Sequence, residues 1–140
     1  MLDGLKVIEI EGIGPGPFAA MMLADLGANV TVVHREDVPI EGMTEKSLLD
    51  RGKKSVLLNL KTDEGKACVR ELIKTADVLI EGLRPGAMEK LGLGPVALHE
   101  INPALVYGRV TGWGQSGPRA QQAGHDLNYI ALSGALWYAS

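Results

Sequence analysis

The sequence predicts an α/β fold, in which a doubly wound, mainly parallel sheet carries helices on both faces. Three observations predict it: short β-branched apolar segments recur along the chain, segments with helical spacing separate them, and glycines or prolines mark most junctions. Alternating strands and helices are typical of parallel sheets, because each crossover must return the chain to the same end of the sheet. Such a Rossmann-like sheet binds its ligands beyond the carboxyl ends of its strands.

The first elements are two strands on either side of a helix. LKVIEI (5–10) predicts a strand that ends at GIGPGP (12–17). FAAMMLADLG (18–27) predicts a buried helix with Pro17 in its first turn and Gly27 as its C-terminal cap, and NVTVVHR (29–35) predicts the second strand. GIGPGP lacks the G-x-G-x-x-G spacing of dinucleotide-binding turns, so we interpret it as a tight strand-to-helix turn.

The remaining elements continue the alternation after a polar loop from Glu36 to Gly52. The predicted strands are KSVLLNL (54–60), DVLIEG (77–82) and ALVYGRVTG (104–112). The first predicted helix after this loop is TDEGKACVRELIKTA (62–76), capped by Thr62 or Asp63. Two short helices, PGAMEKLGLG and PVALHEIN, follow. The last predicted helix is LNYIALSGALWY (127–138), which should bury its aromatic side.

Composition excludes several classes of protein. The chain has 140 residues, a length at which one domain is the default expectation. Its net charge of −3 argues against a nucleic-acid partner. The single cysteine, Cys68, excludes an internal disulfide and predicts a reducing, cytoplasmic setting, and its helical position assigns it to the core. We expect no membrane contact, because neither an export signal nor an unbroken run of about 18 apolar residues is present.

Cationic residues lie beside strand ends and the loops between them. They are Arg35, Arg51, Lys53, Lys54, Lys61, Arg84 and Lys90. Arginine grips phosphate with two hydrogen bonds and lysine adds a compact charge, so a ligand with several phosphates would suit this group. An ordinary solvated surface is an equally good interpretation of the group.

His125 and Asp126 precede the last predicted helix within GHDLNY (124–129). An imidazole can remove or return a proton near neutral pH, and a carboxylate can fix its tautomer. Adjacent residues on a helix do not face each other, so Asp126 capping the helix is the alternative. The other histidines, His34 and His99, have no ligand set near them in sequence, so no metal site is expected.

Five segments resemble, in order, those of a known family. They are DGLKVIEIEGIGPGPFAAMMLADLGANV, RGKKSVLLNLK, DVLIEGLRPGAMEKLGLGP, GRVTGWGQSGP and AGHDLNYIALSGAL. The chain resembles the family III CoA-transferases over nearly its whole length. It is most similar to the racemases of that family, which interconvert R and S 2-methylacyl-CoA thioesters without cofactor or metal. AGHDLNY is the most telling segment, because the transferases typically lack its His-Asp pair.

The resemblance implies roles for particular residues. His125 would be a catalytic acid/base with Asp126 beside it, and Gly124, Asn128 and Tyr129 would lie against the thioester. The positions matching contacts with CoA are Arg35, Leu58, Asn59, Leu60, Lys61 and Arg84, and Lys90 belongs to the same cationic group. The partner is therefore an acyl-CoA, which is a substrate and not a resident cofactor.

The resemblance also implies that residues 1–140 are the N-terminal, CoA-binding part of a longer chain. Racemisation needs a base on each face of the α-carbon, and the family's second base, an Asp, follows the matched region. Full-length members form interlocked homodimers around a second domain. Two alternatives stay open: a CoA-transferase moving CoA between carboxylic acids through a downstream Asp, and an inactive truncated module that only binds CoA.

Overall fold

A computed structural model describes residues 1–35 and 47–139. Most of the loop predicted after the second strand, from 36 to 46, lies outside these residues. The chain divides into two compact units, Met1–Val110 and Thr111–Ser140, and each is described by itself. The single domain expected over 1–140 stays a prediction. No helix among the described ranges is long and apolar enough to cross a membrane.

The first unit contains a five-stranded sheet in which every neighbouring pair is parallel. Its strands are β1 (Lys6–Ile10), β2 (Asn29–Arg35), β3 (Lys54–Leu58), β4 (Val78–Glu81) and β5 (Val106–Arg109), in the order β3-β2-β1-β4-β5. Its helices are α1 (Pro15–Asp25), α2 (Asp63–Ile73), α3 (Ala87–Lys90) and α4 (Pro95–Ile101), with a 3₁₀ turn at Leu48–Asp50. The predicted fold class is therefore confirmed. The strand order reverses between β1 and β4, where doubly wound sheets open a ligand crevice.

Local chemistry explains the helix boundaries. α1 begins three residues before the predicted start, because Gly14 (φ 68°) turns the chain and Pro15 suits the first helical position. Gly27 (φ 101°) follows the last turn, as predicted. The Thr62 hydroxyl caps α2 by accepting the Gly65 N–H at 3.1 Å.

Two hydrophobic clusters lie on opposite faces of the sheet. The first packs Ile8, Ile10 and Val33 against α2 and α4, and the second packs Val7 and Val30 beneath α1. The expectation that Cys68 belongs to the core is wrong, because its residue is exposed. The amphipathic α2 buries Gly65, Val69 and Ile73 and turns Cys68 outward.

The second unit contains α5 (Asp126–Ser133) and a 3₁₀ helix (Ala135–Ala139). The single helix predicted over 127–138 is wrong, because Gly134 adopts a left-handed conformation (φ 83°) and ends α5. The prediction that its aromatic side is buried is also wrong, since Trp137 is 82% and Tyr138 is 89% exposed.

Candidate functional site

A carboxylate clamps the carboxyl end of β2. Glu11 follows β1 directly, and its Oε2 accepts the backbone N–H of Arg35 at 2.9 Å and lies 3.5 Å from Arg35 Nε. Its Oε1 lies 3.0 Å from Nδ1 of His34. Burial by itself raises the pKa of Glu11, but the hydrogen bonds from Arg35 and His34 hold it below its ordinary value. Arg35 is thereby fixed at the sheet edge where ligands of this fold class bind.

The turn after β3 is built by Asn59. Its Oδ1 accepts the N–H of Lys61 at 2.9 Å, and its carbonyl accepts the Thr62 hydroxyl at 3.0 Å. Lys61 is exposed beside this turn, whereas the Leu58 and Leu60 side chains pack in the first hydrophobic cluster. Contacts of these two leucines with a ligand would therefore use backbone atoms.

A buried carboxylate holds the loop after β4. Glu81 is 4% exposed, and its Oε2 accepts the N–H of Leu83 at 2.7 Å. Burial raises the pKa of Glu81 in spite of that hydrogen bond. The loop then exposes Arg84, and Lys90 is exposed at the end of α3. Because β1 alone separates β2 from β4, the strands that precede Arg35 and Arg84 are about two strand spacings, or roughly 10 Å, apart.

The predicted cationic group does not occupy one edge of the sheet. Arg51, Lys53 and Lys54 lie at the amino end of β3, opposite the edge that carries Arg35 and Lys61. Two of the three have structural partners. The guanidinium of Arg51 pairs with Asp25 at 2.5 Å, and Lys53 forms a buried ion pair described next.

The buried ion pair joins three segments of the first unit. Lys53 Nζ lies 2.6 Å from Glu9 Oε2 and 3.0 Å from the carbonyl oxygen of Pro17, and the two charged side chains are 1% and 3% exposed. Burial raises the pKa of Glu9, and the Lys53 ammonium opposes that rise. Glu9 also lines a cleft shared with Glu11, Gly12 and His34. The pair therefore ties β1, α1 and the start of β3 together behind the Glu11 clamp.

A second charged network lies around β5. The Arg109 guanidinium pairs with Glu89, has its Nε 3.7 Å from Glu81 and lies 5.3 Å from the centre of the Tyr107 ring. The Tyr107 hydroxyl donates to the carbonyl of Leu93 at 3.0 Å, and burial raises the pKa of Tyr107. These contacts link β4, β5 and the loop that carries α3.

In the second unit, His125 occupies the N-cap position of α5 and is exposed. Its backbone N–H donates to Asn128 Oδ1 at 2.9 Å, and its carbonyl accepts the Asn128 N–H at 2.9 Å. The alternative in which Asp126 caps α5 is wrong by one position, since Asp126 is the first helical residue. A carboxylate there interacts favourably with the helix dipole. His125 is thus held through its backbone, and its residue is exposed at the start of the helix.

Tyr129 lies on the next turn of α5 within a small aromatic cluster. Its ring centre is 5.0 Å from that of Trp113, and the planes are tilted by 59°. A Cβ on Gly112 or Gly124 would collide with the Tyr129 hydroxyl. The two glycines therefore leave room for the ring, and Gly124 lies against Tyr129. Among the described residues, no group of three or more metal-ligating side chains comes together.

The sequence analysis missed the carboxylates Glu9, Glu11 and Glu81. Each lies within or directly after an apolar strand, in IEIE and LIE. A carboxylate in a strand buried on both faces needs a partner, and this was the available signal. Their charged partners, Lys53, Arg35 and Arg109, are distant in sequence, so these pairings required the structure.

Comparisons with known proteins place this geometry in a family. The sequence model of CoA-transferase family III matches residues 2–140. The chain is 50% identical over 135 residues to human alpha-methylacyl-CoA racemase, covering 96% of this chain and 34% of that protein. It is 38% identical over 152 residues to the succinate–glutarate CoA-transferase of Agrobacterium fabrum, covering 96% and 38%. The crystal structure of Rv3272 from M. tuberculosis matches with a TM-score of 0.84 and 40% identity, covering 96% and 39%.

The chain belongs to CoA-transferase family III. Its relatives include a racemase and transferases that are all CoA-using enzymes by name. The chain spans 34% of the length of the human racemase, so the activity of the whole protein is a matter for proposal.

Proposed function

We propose that the whole protein is an acyl-CoA racemase. It interconverts R and S 2-methylacyl-CoA thioesters by removing and returning the α-proton through an enolate. The CoA thioester is the substrate, and no cofactor or metal takes part. The observation that carries the proposal is the exposed imidazole of His125 at the start of α5, held through its backbone by Asn128.

The chemistry follows from the acidity of the substrate. A thioester α-proton is weakly acidic, so its removal needs a base within about 3 Å and stabilisation of negative charge on the carbonyl oxygen. His125 supplies a base on one face of the α-carbon, with Asp126 beside it. Gly124, Asn128 and Tyr129 lie along the thioester. Inversion also needs a base on the opposite face of the α-carbon.

The CoA moiety binds at the carboxyl edge of the sheet in this proposal. Arg35, Lys61 and Arg84 meet its phosphates, and Lys90 follows at the end of α3. Leu58, Asn59 and Leu60 contribute backbone atoms from the turn after β3. The exposure of the four cations and the placement of three of them at one edge support this arrangement.

A CoA-transferase is the second candidate. The 38% identity to a succinate–glutarate CoA-transferase supports this candidate. The identity to the human racemase is higher, at 50%, so the transferase ranks second. The two candidates differ in their need for a second substrate. A transferase exchanges its acyl group only when a carboxylic acid acceptor is present.

The experiment measures exchange of the α-proton of a 2-methylacyl-CoA in D2O by the whole protein. We expect deuterium at the α-carbon of both enantiomers without any added acid. In His125→Gln, exchange should fall by at least about 100-fold for the enantiomer whose α-proton faces His125. His99→Gln is the matched control, since a glutamine amide can still donate to the Leu105 carbonyl that lies 2.9 Å from His99. No exchange by the unmodified protein would sink the proposal.

The homodimer and the cytoplasmic location that the resemblance and the single cysteine suggest remain predictions. Sedimentation of the purified whole protein measures the first, and fluorescent tagging in cells measures the second.

A further inference from the structure

Glu11 extends the sheet with its side chain. Its backbone N–H donates to the Val33 carbonyl at 3.0 Å, after which the chain turns away at Gly12. The next donor along β2 is the N–H of Arg35, and Glu11 Oε2 accepts it at 2.9 Å. A carboxylate therefore takes the place that a backbone carbonyl would hold in a longer strand. This fixes the backbone of Arg35 where β2 would otherwise fray.

The same carboxylate also sets the direction of the Arg35 side chain. Oε2 lies 3.5 Å from Nε, the inner nitrogen of the guanidinium. The edge formed by the two terminal nitrogens, which can grip a phosphate with two hydrogen bonds, lies outside this ion pair. The Glu11 side chain is 23% exposed and that of Arg35 is 45% exposed, so the carboxylate is the more buried partner and the guanidinium reaches solvent.

The surroundings of this pair match the needs of an anionic ligand. Arg35 pairs in register with Leu58, the last residue of β3, so Lys61 lies on the turn next to it. Two neighbouring cations repel each other, and a carboxylate behind one of them offsets that repulsion. Its other oxygen is occupied by His34 at 3.0 Å, which leaves Glu11 poorly placed to meet the ligand itself.

We infer that Glu11 is a positioning residue that directs the Arg35 guanidinium toward a phosphate of CoA. The inference rests on the proposed function. Glu11 acts through Arg35 and not on the reacting atoms. Its loss therefore weakens binding of CoA and raises KM for the acyl-CoA, while kcat stays unchanged.

The test is a double-mutant cycle in the whole protein, with CoA affinity measured by calorimetry. Glu11→Gln is nearly isosteric, and its amide oxygen can still accept the Arg35 N–H. We expect Glu11→Gln to weaken CoA binding about tenfold, and to have no further effect in the Arg35→Gln background. Asp25→Asn is the matched control: Asp25 is the last residue of α1 and pairs with Arg51, and its variant should keep the original affinity.

The outcomes separate the inference from the function on which it rests. Absence of CoA binding by the unmodified protein would contradict the proposed function. Normal CoA binding that Glu11→Gln leaves unchanged would overturn the inference alone, as would equal losses with and without Arg35. If Glu11→Gln fails to fold, Glu11→Asp keeps the charge but shortens its reach, and it must weaken binding only when Arg35 is present.

Discussion

The buried pair of Glu9 and Lys53 gives a sharp prediction about stability. In Lys53→Met the ammonium 2.6 Å from Glu9 is lost, and the carboxylate stays 3% exposed without its cation. Removing one partner of a buried ion pair destabilises a protein by about 3–5 kcal/mol. The Pro17 carbonyl also loses its 3.0 Å hydrogen bond. We therefore expect the free energy of unfolding to fall by about 3–5 kcal/mol at pH 8.

The pH dependence of this loss has a definite sign. Burial already raises the pKa of Glu9 in the folded protein. A carboxyl with a raised pKa binds more protons in the folded state, so stability falls as pH rises from its unfolded value through its folded value. Lys53→Met raises that folded pKa further and widens the window. Each pH unit within the window changes the stability by up to about 1.4 kcal/mol.

Urea denaturation of the whole protein at pH 5 and pH 8 measures both effects. The loss in Lys53→Met should be larger at pH 8, and Glu9→Gln combined with Lys53→Met should recover much of it. Lys54→Met is the matched control, because Lys54 is exposed one residue away and should change stability by less than about 0.5 kcal/mol. A loss in Lys53→Met that is small at pH 8, or equal at both pH values, would refute the reasoning.

Three further predictions concern backbone space and exposure. Gly65→Ala should destabilise the protein by about 1–3 kcal/mol in thermal unfolding, because its Cβ would collide with the Asn59 carbonyl, whereas Glu64→Ala should not. Gly124→Ala should displace the Tyr129 ring and change the tryptophan fluorescence of the folded protein, and an unchanged spectrum would contradict the described packing. The exposed Cys68 should react with a thiol reagent without denaturant. A thiol that reacts only after denaturation would show that Cys68 is buried.

The strands were predictable because their signal is local. VTVV in β2 and VLI in β4 are β-branched or aliphatic runs, and a strand buried on both faces requires them. Turn residues fixed most boundaries, since Gly27 and Thr62 act on their immediate neighbours. The parallel direction of the strands then followed from the alternation of strands and helices.

The predictions that failed concern contacts between residues far apart in the sequence, or local patterns that a neighbouring residue overrides. Lys53 lies 44 residues from Glu9 in sequence, so its ion pair has no local signature. Apolar composition alone suggested a helix across Gly134, where the left-handed backbone ends it. Cys68 fits the apolar spacing of α2 but falls on its outward side, because Val69 and Ile73 define the face that packs. The cationic group and the His125-Asp126 pair were found from residue type and position, and the resemblance assigned their roles. The carboxylates that hold the strand ends were not found.

The most direct test of the central claim is the stereochemistry of a pure S 2-methylacyl-CoA after incubation with the whole protein, without any added carboxylic acid. Chiral analysis of the thioester gives the ratio of the two forms. Our account predicts that the R form accumulates toward an equal mixture, and that His125→Gln prevents this. Retention of the pure S form, with CoA transfer only after an acid acceptor is added, would contradict it.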